Sequence, residues 1–124
     1  MSEPLTPPVV EDRLRQLVNG IATAQRELAQ ARRAEVDAEV ALRRARAIAW
    51  HDPDVPRVTR GGTTTAERDA WIDGRVEDEW VTHRIAVTAR EIGQDGLRAV
   101  LAQCEVVRSL SASVRMSYEL ANHA

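Results

Sequence analysis

One stripe of the chain repeats every seven residues without a slip from Leu14 to Ala49. Leu14, Ile21, Leu28, Glu35, Leu42 and Ala49 occupy one position of the repeat; Leu17, Ala24, Ala31, Ala38 and Ala45 occupy the other. A period of 3.5 residues held over this distance keeps one face of a long α-helix turned towards a neighbouring helix, the pattern of a coiled coil. Alanine at the second position lets the two axes approach the lower end of the usual spacing of ~8–10 Å. A first helix is therefore expected over residues 10–50, and about 40 residues at 1.5 Å each make it roughly 60 Å long. Glu35 interrupts the apolar seam and admits two readings: a locally wet layer, or a polar residue that fixes register against an arginine opposite.

Composition supports helices over strands. Hydrophobic residues make up 44% of the chain, yet the aromatic ones are only Trp50, Trp71, Trp80 and Tyr118, with no Phe. A chain rich in Ala, Arg and Glu and poor in bulky side chains suits closely packed helices and excludes an all-β sandwich or barrel. The fold class read from the sequence is thus all-α, a long antiparallel helical hairpin.

Residues 1–9 contain Pro4, Pro7 and Pro8 and no apolar periodicity, so they read as a disordered leader. After the first helix, Pro53 and Pro56 forbid continuation, which makes residues 51–62 a linker. Thr64 followed by Glu67 is a capping box, and it starts a helical region over 64–121. Its apolar face is read through Ala70, Ile72, Val76, Trp80, Val87, Leu97, Leu101 and Cys104, with His83, Arg90 and Gln94 interrupting. Gly93 and Gly96 weaken its middle, each by about 1 kcal/mol relative to Ala. The sequence leaves open whether the segment beyond Cys104 continues this helix or forms a short third one.

Two helices joined by such a linker pack antiparallel and bury the first seam. On the first helix Ala22, Ala29, Val36, Val40 and Ala47 lie roughly opposite that seam, and Trp71 falls off the main stripe of the second. A helix apolar on two faces calls for two neighbours, so self-association into a symmetric oligomer is expected. The seam from Leu14 to Ala45 is accordingly read as a surface for the hairpin or for oligomer contacts.

Seventeen basic residues, all Arg, stand against 19 acidic ones, for a net charge of −2. This balance does not suit binding nucleic acid by bulk charge alone. Arg26, Arg32, Arg33, Arg43, Arg44 and Arg46 interleave with Glu27, Glu35, Asp37 and Glu39, as on a solvated helix face with i,i+4 pairs. The best ligand-site candidate is the loop with Arg57, Arg60, Gly61, Gly62, Thr63 and Thr64, where flexible backbone, hydroxyls and two cations precede a helix N-terminus. It is read as a possible anion or nucleic-acid contact beside the simpler reading of a capped turn, since it lacks a Walker lysine and a preceding strand.

Glu79 and His83 stand one helical turn apart but without further ligands, so they read as a helix ion pair, or as a His tucked into an interface, and not as a metal site. Asp73, Glu77, Glu91 and Asp95 do not match the spacing of all-helical nucleotide pyrophosphatases and read as a solvated face. No Ser or Cys has a His at helical spacing, so neither nucleophilic catalysis nor a cofactor is expected. The lone Cys104 excludes an intramolecular disulfide, favours a reducing compartment and reads as a small buried side chain. No run of ~18 apolar residues spans a bilayer, and the expected location is cytoplasmic.

The segment Thr64-Thr65-Ala66-Glu67-Arg68-Asp69-Ala70, the long helix after it and Val107-Arg108-Ser109-Leu110-Ser111-Ala112-Ser113-Val114-Arg115 resemble small helical proteins encoded by actinobacterial tailed phages. The resemblance covers roughly residues 35–118. It implies a non-enzymatic accessory role beside replication and recombination proteins in the host cell, with a phage or host protein as partner. DNA binding by an oligomer that gathers its arginines is the alternative. The resemblance carries over no catalytic residue.

Overall fold

The computed structural model describes residues 5–123, and every regular element among them is helical: α1 (Pro7–Trp50), α2 (Thr65–Arg75) and α3 (Glu77–Asn122). Helix α1 and the return arm form a helical hairpin. The chain divides into two compact units, one made of residues up to Ala29 together with those from Ile92, the other of Gln30–Glu91.

Each unit is an antiparallel helix pair. In the first, Leu28 of α1 lies against Gly93 of α3 and Gly20 against Val100. In the second, Glu35 meets Arg90 while Arg46 meets Asp73. Rising numbers on one arm thus face falling numbers on the other. Every α1 seam position named from the heptad repeat is buried or half-buried: Leu14, Leu17, Ile21, Ala24 and Leu28 in the first unit, Ala31, Glu35, Ala38, Leu42, Ala45 and Ala49 in the second. Val10, one step earlier in the same repeat, is buried too.

The core is densest near the loop, where Leu42, Ala49, Ile72 and Val76 cluster and Ala45, Val55 and Trp71 pack against them. Most of these side chains are small, so close approach replaces bulk. Gly93 shows the same economy, since a Cβ built there would stand 3.4 Å from Leu28 Cδ1 and 3.6 Å from its Cα.

Three expectations are corrected. Helix α1 begins at Pro7, within the segment read as a leader; proline is tolerated in a first turn because its missing N–H has no intrahelical partner there. Residues 1–4 of that leader lie outside the described residues. Of the two courses the sequence leaves open beyond Cys104, the return arm takes the continuous one, running as a single helix through Gly93 and Gly96 to Asn122. The break falls at Val76 instead, with φ −109° and ψ 16°, while hydrogen bonds from Val76 N to Ile72 O (3.1 Å) and Trp80 N to Val76 O (2.9 Å) bridge it.

The third correction concerns the inner face of the return arm from Val76 onward, which is as regular as that of α1. Val76, His83, Arg90, Leu97, Cys104 and Ser111 recur at one position, Glu79, Ala86, Gly93, Val100, Val107 and Val114 at the other, and all twelve are buried or half-buried. Ala70, Trp80 and Leu101, read as inner residues, are exposed, whereas Val87, Leu97 and Cys104 do turn inward. Polar side chains at seam positions drew the hydrophobic reading one residue aside, from Glu79 to Trp80.

Candidate interaction surfaces

The loop leaves α1 through two turns. Val55 N–H donates to Asp52 O at 3.1 Å around Pro53, and Asp54 N–H donates to Asp52 Oδ1 at 2.8 Å. Arg75 of α2 donates to Asp52 Oδ2 at 2.7 Å. These donors hold the Asp52 carboxyl below its ordinary pKa, the Asp54 backbone N–H first and the Arg75 guanidinium second.

At the tip, Gly62 N–H donates to Thr59 O and Thr59 N–H to Thr63 O, each at 3.2 Å. Gly61 takes φ +80°, the left-handed conformation required at the third residue of a type II turn. Thr64 caps α2 by accepting from Glu67 N–H at 3.2 Å. The residues read as a possible anion site are therefore placed together, and turn and cap chemistry accounts for Gly61, Gly62 and Thr64. Arg57 and Arg60 are exposed and, among the described residues, form no ion pair.

Around this loop lies a surface of tryptophan and charge within the second unit. The Arg68 guanidinium stacks 4.3 Å from the centre of the Trp50 ring, and that of Arg75 stands 5.1 Å from Trp71. Trp71 is half-buried on the core, not left over as surplus surface. Arg46 pairs with Asp73 across the helices at 3.9 Å. Two shallow depressions share Arg46 and Asp73, one walled by Trp80 and Glu77, the other by Trp50 and Asp69. Trp50 and Trp80 remain 49% and 48% exposed.

The α1 seam residues are buried or half-buried within the hairpin. Ala22, Ala29, Val36, Val40 and Ala47 are exposed, as their position opposite the seam predicts. Larger apolar side chains stand free on α3, a face that sequence reasoning missed: Ile85, Ile92, Val106 and Leu120 are each more than 60% exposed. Their seven-residue spacings were the available signal. Glu79 and His83 are half-buried seam residues, and no group of three or more metal-ligating side chains gathers among the described residues. No helix among those residues is long and apolar enough to cross a membrane.

No family model, curated protein or solved structure matches the chain.

Proposed function

We propose that the chain is a non-enzymatic helical interaction module that self-associates and binds a protein partner through the loop end of the hairpin. One observation carries this reading. Trp50 and Trp80 stand about half exposed in two depressions that share the Arg46–Asp73 pair, on a surface backed by buried Ile72 and Val76. Tryptophan and arginine held on a packed support are the side chains that dominate binding energy at protein interfaces. A place beside phage replication or recombination proteins in the host cytoplasm is supported by the sequence resemblance alone.

Affinity capture from a host extract, with the chain as bait, tests the reading. A discrete protein is expected to be retained by the wild type and weakened at least tenfold by Trp80→Ala combined with Trp50→Ala. Equal retention by both baits overturns the assignment of this surface.

DNA binding is the second reading, favoured by Arg57 and Arg60 at the loop tip, which are exposed and form no ion pair among the described residues. Affinity for single-stranded and duplex oligonucleotides across a salt series decides it, because phosphate contacts weaken steeply as salt rises. Salt-sensitive binding abolished by Arg57→Ala with Arg60→Ala replaces the first reading with the second.

A further inference from the structure

Within the first unit, α3 carries a second heptad stripe beside the seam it shares with α1. Ile92, Ala99, Val106 and Ser113 form one row; Gly96, Gln103, Leu110 and Ser117 form the other. All eight residues are uncharged and exposed. Ile92 is 67% exposed, Val106 61% and Leu110 40%. An unfilled groove of about 560 Å³ opens between this stripe and α1, with Val106 and Leu110 on one wall and Arg13, Gln16 and Leu17 on the other.

We propose that a second copy of the chain covers this face, its α3 lying antiparallel to the first about a two-fold axis that passes between Cys104 and Glu105. The proposal rests on the reading that the chain self-associates, and adds the helix, the direction and the register.

The stripe is complementary to itself in that arrangement. About this midpoint Ile92 faces Ser117 of the other copy, Leu110 faces Ala99, and Gly96 faces Ser113. Ile92 and Leu110 each meet a small side chain, and the axes can close over those layers. A parallel, in-register pair would set Ile92 on Ile92, Leu110 on Leu110 and Gly96 on Gly96, alternating crowding with voids. The polar positions agree. Ser117 Oγ already donates to Ser113 O at 3.0 Å, so Ile92 can cover it without stranding a donor. Gln103 falls opposite Val106 on both sides of the axis, a central polar layer of the kind that fixes register.

Residues 92–117 span about 39 Å at 1.5 Å per residue, and a helix is about 10 Å across. The stripe alone therefore offers about 390 Å² per copy, and the α1 wall of the groove, with Arg13, Gln16 and Leu17, adds to it towards the ~800 Å² per partner of a stable interface. The groove beside Val106 and Leu110 is where the incoming helix settles.

Light scattering coupled to gel filtration at tens of micromolar gives the first test. A mass of twice the 13.8 kDa chain is expected, falling to one chain in Val106→Glu with unchanged helical circular dichroism, because Val106 is exposed within a single copy. Register is read in a Cys104→Ala background by oxidising Ala99→Cys and Leu110→Cys, separately and mixed. Only the mixture is expected to cross-link, since positions 99 and 99 of an antiparallel pair stand about 16 Å apart, beyond disulfide reach. A monomeric wild type overturns both self-association and this arrangement. A dimer that survives Val106→Glu, or that cross-links through position 99 alone, overturns this arrangement and leaves self-association standing.

Discussion

Glu35 and Arg90 meet at facing seam positions of α1 and α3, with Arg90 Nε donating to Glu35 Oε2 at 2.6 Å and a second, longer contact to Oε1 at 3.5 Å. Both side chains are about one-quarter exposed. The bond raises the Arg90 pKa still further, so the guanidinium keeps its charge. Of the two readings of Glu35, the residue that meets an arginine opposite is the one the structure bears out. The fork geometry ties one layer of α1 to one layer of α3, which an alanine-rich seam needs because its other layers resemble one another.

The pair is expected to act through direction of charge. Glu35→Ala and Arg90→Ala each lower the melting temperature, and the exchange Glu35→Arg with Arg90→Glu recovers more than half of the loss. Thermal melts followed by circular dichroism check this; an exchanged protein no better than the single variants would show that register is set elsewhere.

Asp52 links stability to acid. Its carboxyl titrates below the ordinary value of 3.8 in the folded chain, so its contribution is complete above that value and fades as pH falls through the lower folded pKa. Asp52→Asn is therefore expected to melt below wild type from pH 7 to about 5, with the difference narrowing as pH falls below 3.8 and through the lower folded value. A gap that stays constant with pH would place the effect in packing instead.

The shallow core near the loop makes single truncations costly. Leu42 is 7% exposed, and Leu42→Ala should lose about 2–4 kcal/mol. Val36→Ala, on the outer face at 57% exposure, should stay within about 0.5 kcal/mol. Urea titrations of the two variants give the comparison.

Two helical glycines should respond in opposite directions. A Cβ at Gly74 meets nothing within 4 Å, so Gly74→Ala is expected to stabilise by about 0.5–1 kcal/mol through helix propensity. Gly93 faces Leu28 closely, and Gly93→Leu must push α1 away, lowering the denaturation midpoint. If both substitutions shift the midpoint the same way, the close approach at Gly93 carries no energetic weight.

The two arms differ in how plainly the chain announces them. On α1 the seam is written in Leu, Ile and Ala, so periodicity alone locates it. On α3 the equivalent seam includes His83, Arg90, Gly93 and Ser111, whose burial depends on what stands opposite. Arg90 is an inner residue because Glu35 is there to receive it, and no local pattern contains that information. The interruption at Val76 was illegible for a related reason: its hydrogen bonds continue on both sides, and neither Pro nor Gly marks the residue itself. Among candidate site residues, the Thr64 cap was legible from its spacing to Glu67. The pairing of Trp50 with Arg68 was not, since it joins residues from opposite sides of the loop.

The turn at Thr59–Thr63 is closed by its own hydrogen bonds, and Arg57, Arg60 and Gly61 around it are open to solvent. Foreign sequence spliced between Arg60 and Gly61 would forfeit little beyond that local turn. The tip is consequently a natural port for an epitope or a fluorescent reporter, giving an experimental handle remote in sequence from the α3 face across which two copies are proposed to meet.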